Sequence, residues 1–145
     1  MATDTESKTQ SAPPKPIKWY RTRISGDVRR KVLRKSNLLG TLQAGGHLAI
    51  MAATGVSAFL AARAGAWVWF AGLTFLHGMV CAFAINAVHE LVHGTVFKQR
   101  WLNDAFAYPF AFIGWINHKL FWQSHAEHHK YTLHDPADRE VVLPI

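Results

Sequence analysis

Two uncharged apolar runs occupy the middle of the chain, and, Arg63 between them apart, its charged residues lie to either side. The first, LQAGGHLAIMAATGVSAFLAA, covers about 42–62, and the second, AWVWFAGLTFLHGMVCAFAINAV, covers about 66–88. Each matches the roughly 20 residues that a helix needs to cross a bilayer. Only Arg63, Ala64 and Gly65 separate them, so the pattern predicts a tight antiparallel transmembrane hairpin. Gly45, Gly46, Ala49, Ala52, Ala53 and Gly55 give the first run a small-residue surface that lets the partner backbone approach closely. Trp67 and Trp69 open the second run at the level of an aromatic belt.

A third apolar stretch, AFAYPFAFIGW, lies within about 103–122 and is too short to span. The polar Asn117-His118-Lys119 follows it, and Trp101, Tyr108, Trp115 and Trp122 suit the headgroup level, so this segment is expected in the interface. Pro109 is expected to interrupt any helix through it. The fold class read from this pattern is an all-α integral membrane protein. A transmembrane helical hairpin is followed by interfacial and cytoplasmic helices.

Charge separates the tail from the rest. Residues 1–36 hold ten Lys or Arg and three acids, whereas residues 37–145 hold six of each sign, so the formal charge of +7 belongs to the first 36 residues. Residues 1–16 are rich in Ser, Thr, Lys and Pro, without the apolar core of a signal peptide, and read as disordered. Lys18, Arg21, Arg23, Arg29, Arg30, Lys31, Arg34 and Lys35 precede the first apolar run, and the positive-inside rule then puts the N-terminus in the cytoplasm. A nucleic-acid module would carry its charge on the folded part, which is neutral here, so no nucleic-acid partner is expected.

Chemistry enters with the histidines. Five of nine fall into two clusters, His89-Glu-Leu-Val-His93 and His125-Ala-Glu-His128-His129. Helical spacings of three and four residues put each set on one face, and convergent neutral imidazoles favour iron, copper, nickel or zinc over magnesium or calcium. The interval between His89 and His125 is too short for two more crossings, so both clusters are expected on the cytoplasmic side. Cys81 is the only cysteine and lies in an apolar run, which leaves metal binding to histidine. Glu90 and Glu127 sit inside the clusters as either ligands or groups that orient a ligand. His118 and His134 flank the second cluster as candidates to extend it. Asn86 reads as a helix-helix hydrogen-bonding group, His47 and His77 as neutral packing residues within the spans, and Asp135 and Asp138 as a solvated turn around Pro136.

The pair HELVH and HAEHH resembles the first two histidine boxes, H-x3-H and H-x2-H-H, of the membrane fatty acid desaturases. The strings HELVHGTVFK and FWQSHAEHHKYTLHDPADREVVLP look like that family as well, and the likeness runs from roughly residue 37 to the end. The resemblance implies a four-span fold of which residues 37–145 form the N-terminal part. It also implies two non-haem iron ions, dioxygen as co-substrate, and a lipid acyl chain from which two hydrogens are removed. By motif position, His89, His93, His125, His128 and His129 inherit the metal-ligand role, and no residue is assigned as a general acid or base. An external electron donor such as ferredoxin or cytochrome b5 is implied, because no haem, flavin or iron-sulfur motif is present.

A third box and a second pair of spans do not occur within these residues, so the chain reads as a truncated fragment, expected to be inactive alone. Three alternatives stay open. A di-iron alkane or lipid hydroxylase shares the boxes. A zinc metalloprotease is compatible with H-E-x-x-H, Glu90 polarising water. A non-catalytic membrane hairpin explains the short chain.

Overall fold

The computed structural model describes residues 22–131 together with Asp138 and Glu140. The expectations for residues 1–16, Lys18, Arg21, His134 and Asp135 lie outside that set. Among the described residues every regular element is helical: α1 (Gly26–Val32), α2 (Asn37–Gly40), a π-turn (Thr41–Gly45), α3 (Gly46–Arg63), α4 (Trp67–Ala82), α5 (Ala84–Val92), α6 (Arg100–Ile113) and α7 (His118–Tyr131).

Helices α3 and α4 pack side by side as the hairpin. The turn between them is set by Gly65 at φ +68, a left-handed conformation that costs glycine little. Gly65 N donates to the Ala62 carbonyl and Ala66 N to the Ala61 carbonyl, which satisfies two end carbonyls of α3 and reverses the chain. Outward, α3 exposes Ile50, Val56, Phe59 and Leu60, while α4 exposes Trp67, Val68, Trp69 and Phe75 and buries no residue. A helix apolar on its outward face suits lipid rather than water. Gly26–Arg63 and Trp67–Val92 are both long and apolar enough to cross a membrane.

Polar groups inside the hairpin find partners within it. His47 Nε2 lies 3.0 Å from the Val80 carbonyl, and His77 Nδ1 lies 2.9 Å from Thr54 Oγ1. Gly55 leaves room for the His77 ring, which a Cβ there would meet at 3.1 Å.

The core lies at the open end of the hairpin. Val88, Leu91 and Val92 of α5 pack with Phe97 and with Ala107, Phe110 and Ala111 of α6. Asn103 is buried among them and binds the loop backbone ahead of α6: its Oδ1 accepts from Phe97 N, and its Nδ2 donates to the carbonyls of Phe97 and Gln99. From the other side, Gly40 comes so close that a Cβ would sit 2.8 Å from both Phe97 Cδ1 and the Val96 carbonyl.

The third apolar stretch differs from its expected form. It is the end of α6 and the start of α7, joined by a turn, and Pro109 lies inside α6. Proline removes one backbone hydrogen bond, but Asn103, Ala107, Phe110 and Ala111 bury one continuous face across it, and that packing carries the helix through. The break comes instead at Trp115, whose φ of 51 is the only positive value at a non-glycine among the described residues. Asn117 Oδ1 then accepts from the backbone N–H of Lys119 and Leu120 and starts α7.

Candidate metal centre

His89 stands in the last turn of α5, and His93 is the residue that caps it. Gly94 at φ +67 ends the helix immediately afterwards, with Gly94 N on the Leu91 carbonyl and Thr95 N on the Glu90 carbonyl. The first histidine pair therefore projects from a helix end held by a left-handed cap. The second set projects from one face of α7, where His125 is buried and His129 is exposed.

The two helices bring four of these histidines together. His89, His93, His125 and His129 each offer a ring nitrogen, and these four atoms lie within 4.8 Å of one another. Nε2 of His125 is 3.0 Å from Nε2 of His93, Nε2 of His129 is 3.2 Å from Nε2 of His93, and the His125–His129 pair is 3.0 Å apart. Adjacent donors on an octahedral ion at about 2.1 Å would stand about 3.0 Å apart. Three ring nitrogens sharing one space cannot all satisfy one another with a single proton each, whereas a cation between them satisfies all three. The donor set fits a transition metal of the kind imidazole holds.

His128 is not in that group. Its Nδ1 lies 2.9 Å from Asp138 Oδ2, and its ring centroid is 5.7 Å from that of His125. Sequence reasoning treated Asp138 as part of a solvated turn, but its side chain is fully buried against His128. The imidazole at Oδ2, and the Glu140 N–H donating to Oδ1 at 2.9 Å, supply the hydrogen bonds that make this burial tolerable. Glu140 plays the same part for His125, with carboxylate oxygens 3.1 and 3.2 Å from Nδ1. A carboxylate on Nδ1 fixes the proton there and leaves the Nε2 lone pair free for a metal. Glu90 likewise approaches His89 Nδ1 at 3.2 Å and accepts from Thr95 Oγ1 at 2.9 Å. Helical spacing gives no signal for Glu140, because it stands in a turn outside α7, which ends at Tyr131; the acidic string after HAEHH was the available signal.

Burial lowers the proton affinity of His93 first of all, and the neighbouring rings of His89, His125 and His129 lower it further. For His129, which is exposed, partial desolvation of the ring is the leading cause, followed by the rings of His125 and His128. Both imidazoles are thereby biased to the neutral form that a metal requires. His118, a candidate to extend the cluster, lies elsewhere: its ring packs edge-on against Tyr108 at 4.6 Å, and its buried Nε2 has no hydrogen-bond partner.

A family model described as fatty acid desaturase matches residues 64–144, a stretch that begins in the hairpin turn and takes in both histidine sets. The chain belongs to the fatty acid desaturase family. No curated protein and no solved structure matches it. Membership in this desaturase family makes the chain part of an oxidoreductase-type enzyme family that is membrane-bound. Desaturases of this family generally use di-iron centres, and the gathered imidazoles are chemically suited to iron.

Proposed function

We propose that this protein takes part in the oxygen-dependent desaturation of a lipid acyl chain at a histidine-ligated non-haem di-iron centre. The observation that carries this reading is the meeting of His93, His125 and His129 at 3.0–3.2 Å at the open end of an apolar hairpin, in a chain of the desaturase family. His89, His93, His125 and His129 would hold one iron, and His128, oriented by Asp138, would serve the second. Iron, when bound, supplies the oxidation of an unactivated C–H bond with dioxygen and two electrons.

The chain's own residues position and shield. Glu140 and Glu90 orient ligand imidazoles, and Asn103 and the Gly94 cap fix the loop that carries His93. The apolar surfaces of α3 and α4 keep the site at the membrane, where an acyl chain reaches it without crossing water. Glu90 engages Thr95 and His89, which disfavours the protease reading, in which it would face a reacting water. The basic segment before the hairpin favours the cytoplasmic side for the N-terminus and the histidines. Electrons would come from an external donor such as ferredoxin or cytochrome b5.

The test is anaerobic loading of the protein with ferrous iron, followed by product analysis in membranes supplied with an electron donor, dioxygen and a companion polypeptide bearing a third histidine box, since these residues are expected to be inactive alone. Iron bound through histidine nitrogens and an acyl product lighter by two hydrogens support the reading. A product heavier by one oxygen would make it a hydroxylase, and preference for zinc with peptide cleavage would overturn it.

A further inference from the structure

Helix α1 has no buried residue. Val28 and Val32, one helical turn apart, form a short apolar ridge on it, flanked by Ile24 before the helix and Leu33 after it; all four are exposed, and nothing in the described residues covers them. Beside this ridge runs an open groove lined by Arg30, Lys31, Leu33, Arg34, Lys35 and Lys98, with Asp27 as its single acid. Lys98 comes from the loop after α5, so the groove is built by two segments far apart in sequence. Lys35 Nζ donates to the Gly94 carbonyl at 2.6 Å, and Asn37 Oδ1 accepts from Lys98 N at 2.9 Å, which holds those segments together.

We propose that this groove binds the phosphate-bearing headgroups of anionic phospholipids, with α1 lying in the interface and its apolar ridge turned into the acyl boundary. Charge alone would also suit an acidic protein. The bilayer is favoured because the apolar Val28 and Val32 share one short helix with Arg30 and Lys31, and Arg34 and Lys35 follow it just ahead of a membrane-spanning segment, the arrangement of an interfacial helix. Arg30 and Lys31 on α1, Arg34 and Lys35 beyond it, and Lys98 on the loop converge on one place, whereas a merely solvated charged segment has no need of a cation from a distant loop.

The experiment reconstitutes the full chain into phosphatidylcholine nanodiscs carrying either spin-labelled phosphatidylglycerol or spin-labelled phosphatidylcholine, and reads the motionally restricted lipid fraction. Phosphatidylglycerol should be enriched at the protein by about five-fold or more, the effect expected of even one cation at the surface. R30Q/R34Q/K98Q, which leaves Lys31 and Lys35 in the groove, should lower that enrichment several-fold, while R30K/R34K keeps it, because a headgroup attracted by point charge does not need a guanidinium. D27N, at an exposed position, should raise the enrichment, and it decides the matter if the triple variant loses helical content. Parity in the native chain, unchanged enrichment in a folded triple variant, or no rise in D27N overturns the proposal. Binding of an acidic ferredoxin through the same cations, with lipid at parity, would overturn it in favour of a protein partner.

Discussion

The carboxylate of Glu140 meets Nδ1 of His125 at 3.1 Å, while the opposite nitrogen of the same ring faces His93 and His129. One imidazole thus joins a fixed hydrogen-bond acceptor to the shared space between three histidines. Removing the acceptor frees both the ring's rotation and its tautomer. Glu140→Gln is expected to weaken ferrous iron binding by about 10- to 100-fold, with helical content retained, as measured by anaerobic metal titration alongside circular dichroism.

His128 stands apart from the four gathered rings, which predicts unequal consequences for substitutions within one motif. His125→Ala should abolish the tightest iron site, because its nitrogen lies 3.0 Å from two others. His128→Ala should spare that site and remove only a second, weaker equivalent. Titration of the two variants, read by bound iron per chain, separates them; equal loss in both would show that His128 shares the first ion.

Acid should destabilise the metal-free protein. The proton affinities of His93 and His129 are held below the ordinary value of 6.5, first by partial desolvation of each ring, slighter at the exposed His129, and then by the neighbouring imidazoles. Above 6.5 both rings are neutral whether the chain is folded or unfolded, and their contribution is fully present. As pH falls below 6.5 the unfolded chain takes up protons first, so stability is lost as pH drops through the lowered folded-state values. Thermal midpoints of the metal-free chain in detergent should decline from pH 7 to pH 5, and His93→Gln should flatten part of that decline.

Asn103 holds a buried loop by three hydrogen bonds. Asn103→Ala leaves the Phe97 N–H and carbonyl without partners, at a cost of about 1–3 kcal/mol for each group that stays dry. The expected result is a clear fall in thermal midpoint, with weaker iron binding because the loop after His93 loosens.

Two glycines in adjoining elements should respond in opposite directions. Gly40→Ala places a methyl group 2.8 Å from the Val96 carbonyl, and backbone cannot yield as a side-chain tip can, so a loss of about 1–3 kcal/mol is expected. Gly46→Ala has open space around it and should be neutral or gain up to about 1 kcal/mol from helix propensity. Paired thermal unfolding curves check both.

The hairpin was legible because uncharged length is a direct consequence of the bilayer's thickness, and the histidine sets because their spacing matches the helical turn. The path of α6 through Pro109 was not, since a single lost hydrogen bond is weighed against the buried face of Asn103, Ala107 and Phe110, which local rules do not see. Nor was the role of Asp138, where composition indicates a surface turn, whereas His128 and the Glu140 backbone N–H meet its carboxylate and make burial tolerable. Gly40 and Asn103 likewise act through contacts with Val96 and Phe97, distant from Gly40 in sequence and set by the tertiary packing around Phe97.

The bonds from Lys35 to Gly94 and from Asn37 to Lys98 bear on how the protein is made. They join the segment before the first apolar helix to the loop after the second, so neither can form until both helices have left the ribosome and turned back. The loop carrying His93 therefore gains its ties to Lys35 and Asn37 only once the hairpin is fully inserted, and a nascent chain stalled with one helix in the membrane would present an unanchored first histidine pair.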